Sequence, residues 1–414
     1  MRKESCFWLL ILAVFTLSFV SCEGDNDPIP VPDGGTRTVL VYVVADNNLS
    51  QYKDEDYANA DVDEMMEGMK QVNTSLYNLL VYVDDYNTAP VLYRLVKDKS
   101  GNVVKEVVKR YDEQVSTDVT VMKEVVNRAF NAYPADSYGL VYWSHGEGWL
   151  PYPLPVTTRW VGQDEHGESG SRTISRMNIL DLASVLQNCP HLDFLLFDAC
   201  FMQSVEVAYD LRSYTDYVIG SPTEIPGPGA PYDKAVPKMF VSDDSEVVST
   251  EIAKAYFDYY NEIYDESKDP SIYNWTGGVS IGVLKTSALE KLATVTRDVL
   301  PSTIDVSALV NSGSVFNYDK RSINVSYYDM DSFIKSVATD ADYAVWRSAF
   351  EEACIYWKTT KENYSSDAKL FSMQNVLLSG GVSQYLSLFP NSRAGKAYQS
   401  CAWYTALGLS KYGW

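Results

Sequence analysis

The chain has 414 residues, of which 46% are hydrophobic and 21% are charged, so it can bury a sizeable core and is not a disordered segment. Asp and Glu outnumber Lys and Arg by 55 to 34, and the formal net charge is -21. This charge repels nucleic-acid phosphates and anionic membrane surfaces, so we expect neither as a partner. Only three histidines are present, which argues against a multi-histidine metal centre.

The N-terminus is typical of an export signal. Two basic residues precede an apolar run, residues 7–20, that is too short for a comfortable membrane span. We therefore predict a signal peptide over residues 1–21. Cys22 follows a small residue, as at the cleavage site of bacterial lipoproteins, and this predicts a lipid-anchored protein of the cell envelope. An ordinary secretory signal is the alternative. Residues 22–36 are acidic and rich in Pro and Gly, which predicts a flexible tether.

From residue 37 onward, short apolar runs alternate with amphipathic stretches of helical length. Four of the runs are continuously apolar, as in strands that are buried on both faces of a parallel sheet. The alternation predicts an α/β sandwich with a mainly parallel central sheet. The predicted strands are 38–45, 79–83, 139–143, 192–197, 217–220 and 279–283, and the predicted helices are 54–71, 118–132, 175–187 and 204–211.

Two further segments modify this pattern. Residues 91–96 and 103–110 flank a turn that contains Gly and Asn, which predicts an inserted hairpin. Beyond about residue 300 the pattern becomes helical and irregular, with a last strand-like run at residues 381–388. We therefore predict a core over residues 37–300 and a C-terminal subdomain, residues 301–414, that packs on it.

Four cysteines lie in the predicted folded part: Cys189, Cys200, Cys354 and Cys401. If one of them is a working thiol, an odd number remains, so at least one more is unpaired within the chain. Cys354 and Cys401 are the candidates for a bridge, but connectivity cannot be read from a sequence.

Two motifs stand at the ends of consecutive predicted strands. His145 and Gly146 follow residues 139–143, and Cys200 follows residues 192–197. A helical crossover makes these strands parallel neighbours, and chemistry gathers beyond the carboxyl ends of such strands. The pattern therefore predicts a Cys/His dyad.

The predicted helix after Cys200 and a protonated imidazole would both favour the thiolate. The backbone amides of Gly146 and Cys200 would form an oxyanion hole. The alternative is an inert, buried Cys200.

Residues 142–149 (YWSHGEGW) and 197–209 (FDACFMQSVEVAY) resemble the clostripain family of cysteine peptidases, relatives of caspases, gingipains and legumain. Further similarity lies at residues 45–49, 221–227, 327–330 and 381–390. The resemblance implies a caspase-like α/β/α sandwich, with Cys200 as the nucleophile and His145 as the general base and acid. No cofactor is expected, apart from the calcium that some family members need.

The resemblance also assigns Asp198 to an acidic pocket, to which Glu224 would add a second carboxylate. Together they would favour substrates with Arg or Lys before the cut bond. The loop 224–233 departs from the family pattern, because it has no Trp and is dominated by Pro and Gly. The alternative is that Asp198 caps the following helix and Glu224 is solvated.

The segment 146–175 is too long for an ordinary connection and is rich in Pro, Gly, Ser and Glu. We predict an exposed loop with a short hairpin around residues 160–163. The candidate sites of self-processing are Arg159, Arg172 and Arg176. An uncut loop that shields the sheet edge is the alternative.

The sequence thus predicts a monomeric, surface cysteine endopeptidase that acts on peptides or proteins. Two other classes remain open. One is a catalytically silent relative that binds peptides through the same groove. The other is a glycan-binding lipoprotein, which the 31 Tyr and 9 Trp residues would also suit.

Overall fold

A nine-stranded sheet forms the centre of the fold in the computed structural model. The structure describes residues 37–51, 56–149, 160–165, 174–268, 277–321, 327–366, 369–376 and 380–414. The signal peptide, Cys22 and the tether lie outside these ranges. The strands are β1 (Arg37–Ala45), β2 (Tyr77–Asp85), β3 (Thr88–Lys97), β4 (Val103–Arg110), β5 (Ser137–Trp143), β6 (Val161–Asp164), β7 (Ser175–Met177), β8 (Leu192–Asp198), β9 (Thr215–Gly220), β10 (Ser280–Lys285), β11 (Tyr328–Asp329), β12 (Cys354–Thr359), β13 (Glu362–Ser365), β14 (Lys369–Ser372) and β15 (Ser383–Gln384).

The order of the central sheet is β12-β10-β9-β8-β5-β1-β2-β3-β4. Its five middle strands, from β9 to β2, run parallel to one another. The two strands added at each edge pair antiparallel. Three pairs of short strands, β6-β7, β11-β15 and β13-β14, form separate small sheets.

Helices cover both faces of this sheet. They are α1 (Tyr57–Met69), α2 (Val119–Ala132), α3 (Ile179–Leu186), α4 (Val205–Leu211), α5 (Tyr232–Lys238), α6 (Ser245–Ile263), α7 (Leu289–Val299), α8 (Val306–Ser312), α9 (Met330–Val337), α10 (Asp340–Ala353), α11 (Arg393–Tyr398) and α12 (Ala402–Leu407).

All nine residues of β1 are buried, because its two faces pack against different helical layers. Val39, Val41 and Val43 share one apolar core with α1, α5 and α6. Leu40 and Tyr42 alternate with them and are equally buried, so they face the other layer. From β1 the chain passes through α1 to β2, toward one edge of the sheet. From β5 it passes through α3 and α4 to β8 and β9, toward the other edge. Because such crossovers are right-handed, α1 lies on one face of the sheet and α3 and α4 lie on the opposite face.

These observations confirm the predicted α/β/α sandwich with a mainly parallel sheet. The predicted hairpin is present as β3 and β4. The helix predicted over residues 175–187 begins later, because residues 175–177 form β7 and pair with β6.

The region beyond residue 300 contributes more to the sheet than its pattern indicates. β12 is an edge strand that pairs with β10, and the described residues from Arg37 to Trp414 belong to one compact unit. The division into a core and a C-terminal subdomain, residues 301–414, stays a prediction. No helix among the described residues is both long and apolar enough to cross a bilayer.

The predicted bridge between Cys354 and Cys401 is wrong, since all four cysteines in the described ranges are free thiols. The two residues have different surroundings. The thiol of Cys354 donates to the carbonyl oxygen of Gly380 at 3.2 Å, whereas Cys401 is buried at the start of α12.

Candidate active site

The loops that carry His145 and Cys200 leave the sheet side by side. Trp143 at the end of β5 is in register with Asp198 at the end of β8. One residue further on, the amide of Ser144 donates to the carbonyl oxygen of Asp198 at 3.3 Å. The predicted pairing of these two strands is therefore confirmed, and it brings both loops to one edge.

Gly146 packs directly against the backbone of Cys200. A Cβ at Gly146 would lie 2.7 Å from the Cβ of Ala199 and 2.8 Å from the carbonyl oxygen of Cys200, so only glycine fits there. On its other side, Gly146 lies opposite Val161, the first residue of β6, in an antiparallel bridge. The two hydrogen bonds of this bridge are made by the neighbours of Gly146: the amide of Glu147 donates to the carbonyl oxygen of Trp160, and the carbonyl oxygen of His145 accepts from the amide of Gly162. The amide of Gly146 itself therefore faces away from that strand, as an oxyanion donor next to Cys200 must.

The imidazole of His145 is half-buried and is oriented by Asn48. Its Nε2–H donates to Oδ1 of Asn48 at 2.8 Å, which leaves Nδ1 as the proton acceptor. The ring also meets the edge of Trp160, with 6.4 Å between ring centroids. Burial and the positive charge of Arg176 lower the pKa of His145 to about 4, so the imidazole is neutral at ordinary pH.

The thiol of Cys200 is half-buried and accepts a hydrogen bond from the amide of Ile225, with 3.4 Å between N and Sγ. Burial and the nearby carboxylates of Glu224 and Glu147 raise its pKa to about 12. The prediction that a helix N-terminus favours the thiolate of Cys200 is wrong, because α4 begins only at Val205. With these pKa values Cys200 is a neutral thiol and His145 is a neutral imidazole, so the two residues do not form an ion pair.

Asp198 is buried and does not cap the following helix. Its Oδ2 accepts hydrogen bonds from the amide of Ala230 and the hydroxyl of Tyr232, both at 2.9 Å. Its Oδ1 accepts from the hydroxyl of Tyr256 at 3.1 Å. Burial raises the pKa of Asp198 above its ordinary value, while these three donors lower it.

Two more carboxyl groups, which sequence reasoning missed, lie beside Asp198. Asp61 accepts from the indole N–H of Trp143 at 2.6 Å, and Glu64 accepts from the amide of Tyr232 at 2.9 Å. Burial raises the pKa of Asp61, and the charges of Asp198 and Glu64 raise it further. Burial likewise raises the pKa of Glu64 to about 7. Asp61, Glu64 and Asp198 are called the acidic group below.

Glycine at position 229 allows the acidic group to come together under the loop that follows β9. Gly229 has a φ of +68°, and a Cβ there would lie 2.7 Å from Oδ2 of Asp198 and 3.2 Å from Oδ2 of Asp61. Glu224 from the same loop is half-buried and accepts from the amide of Ser366 at 2.9 Å. The loop thus connects the acidic group to the surroundings of Cys200.

The comparison with known families decides the assignment. The sequence profile of the clostripain family matches residues 41–381. The chain belongs to the clostripain family. The predicted resemblance to this family of cysteine peptidases is therefore confirmed.

Solved structures of C11 proteases share the fold of this clostripain-family chain. A secreted C11 cysteine protease from Bacteroides thetaiotaomicron, in complex with an irreversible peptide inhibitor, is 44% identical with a TM-score of 0.80, over 91% of this chain and 99% of that one. An inactive zymogen C11 protease from Parabacteroides distasonis is 30% identical with a TM-score of 0.73, again over 91% of this chain and 99% of that one.

Clostripain itself, from Hathewaya histolytica, is 26% identical over an alignment of 223 positions, and the match covers 48% of this chain and 41% of clostripain. The match to this curated relative therefore spans less than half of its length.

In this member of the clostripain family, the segment between His145 and Cys200 contributes to the site. The short hairpin predicted around residues 160–163 is wrong in its bounds, because residues 161–164 form the single strand β6, which pairs antiparallel with β7. Arg176 in β7 donates to Oε1 of Gln163 at 2.9 Å. The guanidinium of Arg176 also lies 4.1 Å from the centre of the Trp160 ring. Arg176 is thus half-buried in a strand, where a protease reaches it less easily than in an open loop. Arg159 and Arg172 lie outside the described residues.

Among the residues that the structure describes, one group of carboxylates could bind the calcium that the clostripain resemblance implies. Asp46, Asp84 and Glu113 each offer a carboxylate oxygen, and these oxygens lie within 4.8 Å of one another. Oδ1 of Asp84 is buried without a hydrogen-bond partner. Burial and the charge of Asp164 raise the pKa of Asp84 well above its ordinary value. Oxygen ligands and unbalanced negative charge are what Ca²⁺ requires.

Proposed function

We propose that this protein is a cysteine endopeptidase in which Cys200 is the nucleophile and His145 transfers the proton. The observation that carries the proposal is the packing of Gly146 against the backbone of Cys200, at the ends of adjacent parallel strands. The backbone amides of Gly146 and Cys200 would then stabilise the oxyanion of an acyl-transfer reaction. Membership of the clostripain family supports the same chemistry.

The reaction starts from the neutral pair. Sγ of Cys200 attacks the carbonyl carbon of the scissile bond while its proton passes to Nδ1 of His145. Asn48, through Nε2, holds the imidazole in the tautomer that accepts this proton. The amides of Gly146 and Cys200 stabilise the oxyanion, and His145 then protonates the leaving amine. Water, deprotonated by His145, hydrolyses the thioester and restores the thiol.

The acidic group favours Arg or Lys as the residue before the cut bond. Its carboxyl groups repel one another and have raised pKa values, so a cationic side chain would relieve the repulsion and receive charge-assisted hydrogen bonds. Glu224 adds negative charge near Cys200. The Pro/Gly-rich loop around Gly229 brings these acids together by backbone geometry.

Export to the cell envelope, with a lipid on Cys22, completes the proposal. The basic and apolar N-terminal segment supports it, and a relative with 44% identity is described as secreted. Replacing Cys22 with Ser is expected to move the protein from the membrane fraction to the soluble fraction. Retention of Cys22→Ser in the membrane fraction would contradict the lipid anchor.

We further propose that Ca²⁺ binds Asp46, Asp84 and Glu113 as a structural ion. It would neutralise carboxylates at the ends of β1 and β2, close in sequence to Asn48. Calcium chloride is expected to raise the melting temperature of the wild-type protein but not of Asp84→Asn. An equal shift in both proteins would place the ion elsewhere.

The test of the nucleophile compares two free cysteines. Cys200→Ala is expected to fold, to lose turnover by more than the ~10²–10³-fold typical of a lost oxyanion donor, and to resist a peptide acyloxymethylketone. Cys189→Ala is the matched control, because Cys189 is a half-buried free thiol before β8, and it should keep full activity. Undiminished turnover by Cys200→Ala would refute the dyad.

A further inference from the structure

We propose that Arg321 is a positioning residue that holds the His145 loop and the Cys200 loop in register for catalysis. This inference rests on the proposed dyad. It concerns a side chain more than 120 positions after Cys200 in the sequence, and it assigns a role to a charge that the reaction itself does not use.

Arg321 binds the loop of His145 through a forked ion pair. Its two terminal nitrogens donate to the two carboxylate oxygens of Glu147, one of them at 2.9 Å. Its Nε donates to Oδ1 of Asp319 at 2.9 Å. The side chain of Arg321 is only 10% exposed and that of Asp319 is fully buried, so water cannot readily replace these contacts. The fork fixes the orientation of Glu147, one residue after Gly146.

The same guanidinium contacts the loop of Cys200. Its central carbon lies 4.5 Å from the ring centre of Phe201, the residue after the nucleophile. Tyr327 stacks on this ring, with 4.5 Å between centroids and 8° between planes, and its hydroxyl donates to the carbonyl oxygen of Glu147. Arg321 and Tyr327 therefore each connect Glu147 with Phe201, and so connect the two loops.

The Cys200 loop needs such support because its backbone is strained. Phe201 has a φ of +61°, a conformation that side-chain-bearing residues rarely adopt. Strained residues at functional sites persist when their surroundings hold them in place. Here the amide of Phe201 donates to the carbonyl oxygen of Thr223 at 2.9 Å, and Arg321 and Tyr327 pack on its ring. A shift of Phe201 would move the amide of Cys200 away from that of Gly146.

Arg321 also acts on Cys200 through its charge, which lowers the pKa of the thiol. Lysine keeps this charge but cannot reproduce the fork. The variant Arg321→Lys therefore separates positioning from electrostatics. Arg347→Lys is the matched control, because Arg347 also binds two carboxylates, those of Asp331 and Glu351, both at 2.9 Å, and lies over Phe350. None of these partners belongs to either loop.

The experiment measures kcat and KM with the fluorogenic peptide amide that the wild-type protein cleaves best. It also measures the labelling of Cys200 by iodoacetamide and by a peptide acyloxymethylketone. Labelling by iodoacetamide requires only the thiolate of Cys200. Labelling by the acyloxymethylketone also requires the oxyanion hole, because the ketone oxygen binds there. For Arg321→Lys we expect kcat to fall about 10- to 100-fold at an unchanged KM. Labelling by the ketone should fall with kcat, and labelling by iodoacetamide should stay within about twofold of wild type. Arg347→Lys should match wild type in all four measurements.

Equal kcat values for Arg321→Lys and Arg347→Lys would overturn the proposal. An equal loss of both kinds of labelling would also overturn it, because the variant would then have altered the reactivity or accessibility of the thiol itself and not the register of the two loops. If Arg321→Lys unfolds, Tyr327→Phe replaces it, since this change keeps the ring stack and removes only the bond to Glu147. We expect kcat of Tyr327→Phe to fall at least about threefold, and an unchanged kcat would refute the positioning role. Failure of the dyad itself is recognised separately, by turnover in Cys200→Ala.

Discussion

Two neighbouring regions at the carboxyl edge of the sheet hold titratable groups away from their charged forms, for different physical reasons. Around Cys200 and His145, burial of each group is the largest cause, and it drives the two pKa values to about 12 and about 4. In the acidic group, burial acts together with the mutual repulsion of the carboxylates. In the proposed reaction, the first region transfers a proton internally before it can react, whereas the second region receives a cationic side chain from the substrate.

The difference suggests a division of roles. A cationic substrate side chain would favour the ionised carboxylates of the acidic group without directly altering the proposed dyad. The dyad, in turn, depends on its neighbours Asn48, Gly146 and Arg176, none of which belongs to the acidic group. Changes in one region should therefore leave the other intact, and the following variants test that independence.

The largest effect is expected from Gly146→Ala. Its Cβ would lie 2.7 Å from the Cβ of Ala199, so the loop must shift and the oxyanion hole must open. We expect kcat to fall at least about 10²-fold, while binding of benzamidine, an arginine-like inhibitor, is unchanged. Steady-state kinetics and the inhibition constant measure the two effects. A Gly146→Ala protein with wild-type kcat would show that this amide is not the donor.

Asp198→Asn should weaken the recognition of arginine by the acidic group and leave the reactivity of Cys200 unchanged. The amide retains hydrogen-bonding atoms but lacks the charge, so kcat/KM for arginine peptides should fall about 10- to 100-fold. Labelling by iodoacetamide should be unaffected. Asp193→Asn is the control, because Asp193 lies in the same strand at its opposite end, where it pairs with Arg37. Preferential cleavage after apolar residues by the wild-type protein would eliminate the acidic-pocket proposal.

Asn48→Ala should affect the dyad less than Gly146→Ala, because it removes an orienting contact and no reacting group. We expect kcat to fall about tenfold, in line with one charge-assisted hydrogen bond to the imidazolium. Asn59→Ala, an exposed position in α1, serves as the control. Equal kinetics of the two variants would show that Asn48 does not orient His145.

Arg176→Gln should produce the smallest change, a shift in pH dependence. The charge of Arg176 helps to lower the pKa of His145, so its removal raises this pKa. Because neutral His145 is the base, the acidic limb of the kcat/KM profile should move to higher pH, and activity at low pH should fall. An acidic limb that stays at the wild-type pH would contradict the influence of Arg176 on His145.

The sequence predicts the middle of the molecule better than its edges. The continuous apolar runs of β1, β5 and β8 identify buried parallel strands, and this places Cys200 and His145 at neighbouring strand ends. β12 escapes prediction because its residues are mostly half-buried and its partner is distant in the chain. The start of α3 is missed for a similar reason, since β7 exists only through its pairing with β6.

Within the site, the predictable residues are those that follow a strand, such as Gly146 and Asp198. Asn48, Asp61 and Arg321 are not predictable in this way, because their roles depend on contacts between segments far apart in sequence. Asn48 lies in the segment 45–49 that carries the family resemblance, but only the pairing of β1 with β5 shows that it meets His145. The helix-end effect on Cys200 fails because α4 begins at Val205, five residues beyond the thiol.

The direction of β1 has a consequence for the proposed anchoring of the enzyme through Cys22. Arg37 begins this strand, and the loops of Asn48, His145 and Cys200 lie beyond its carboxyl end. Nine residues of extended chain separate the two ends by roughly 30 Å at about 3.3 Å per residue. The chain therefore enters the sheet at the edge opposite the loops of His145 and Cys200, and the proposed lipid anchor would be connected to the end of β1 that is remote from the candidate active site.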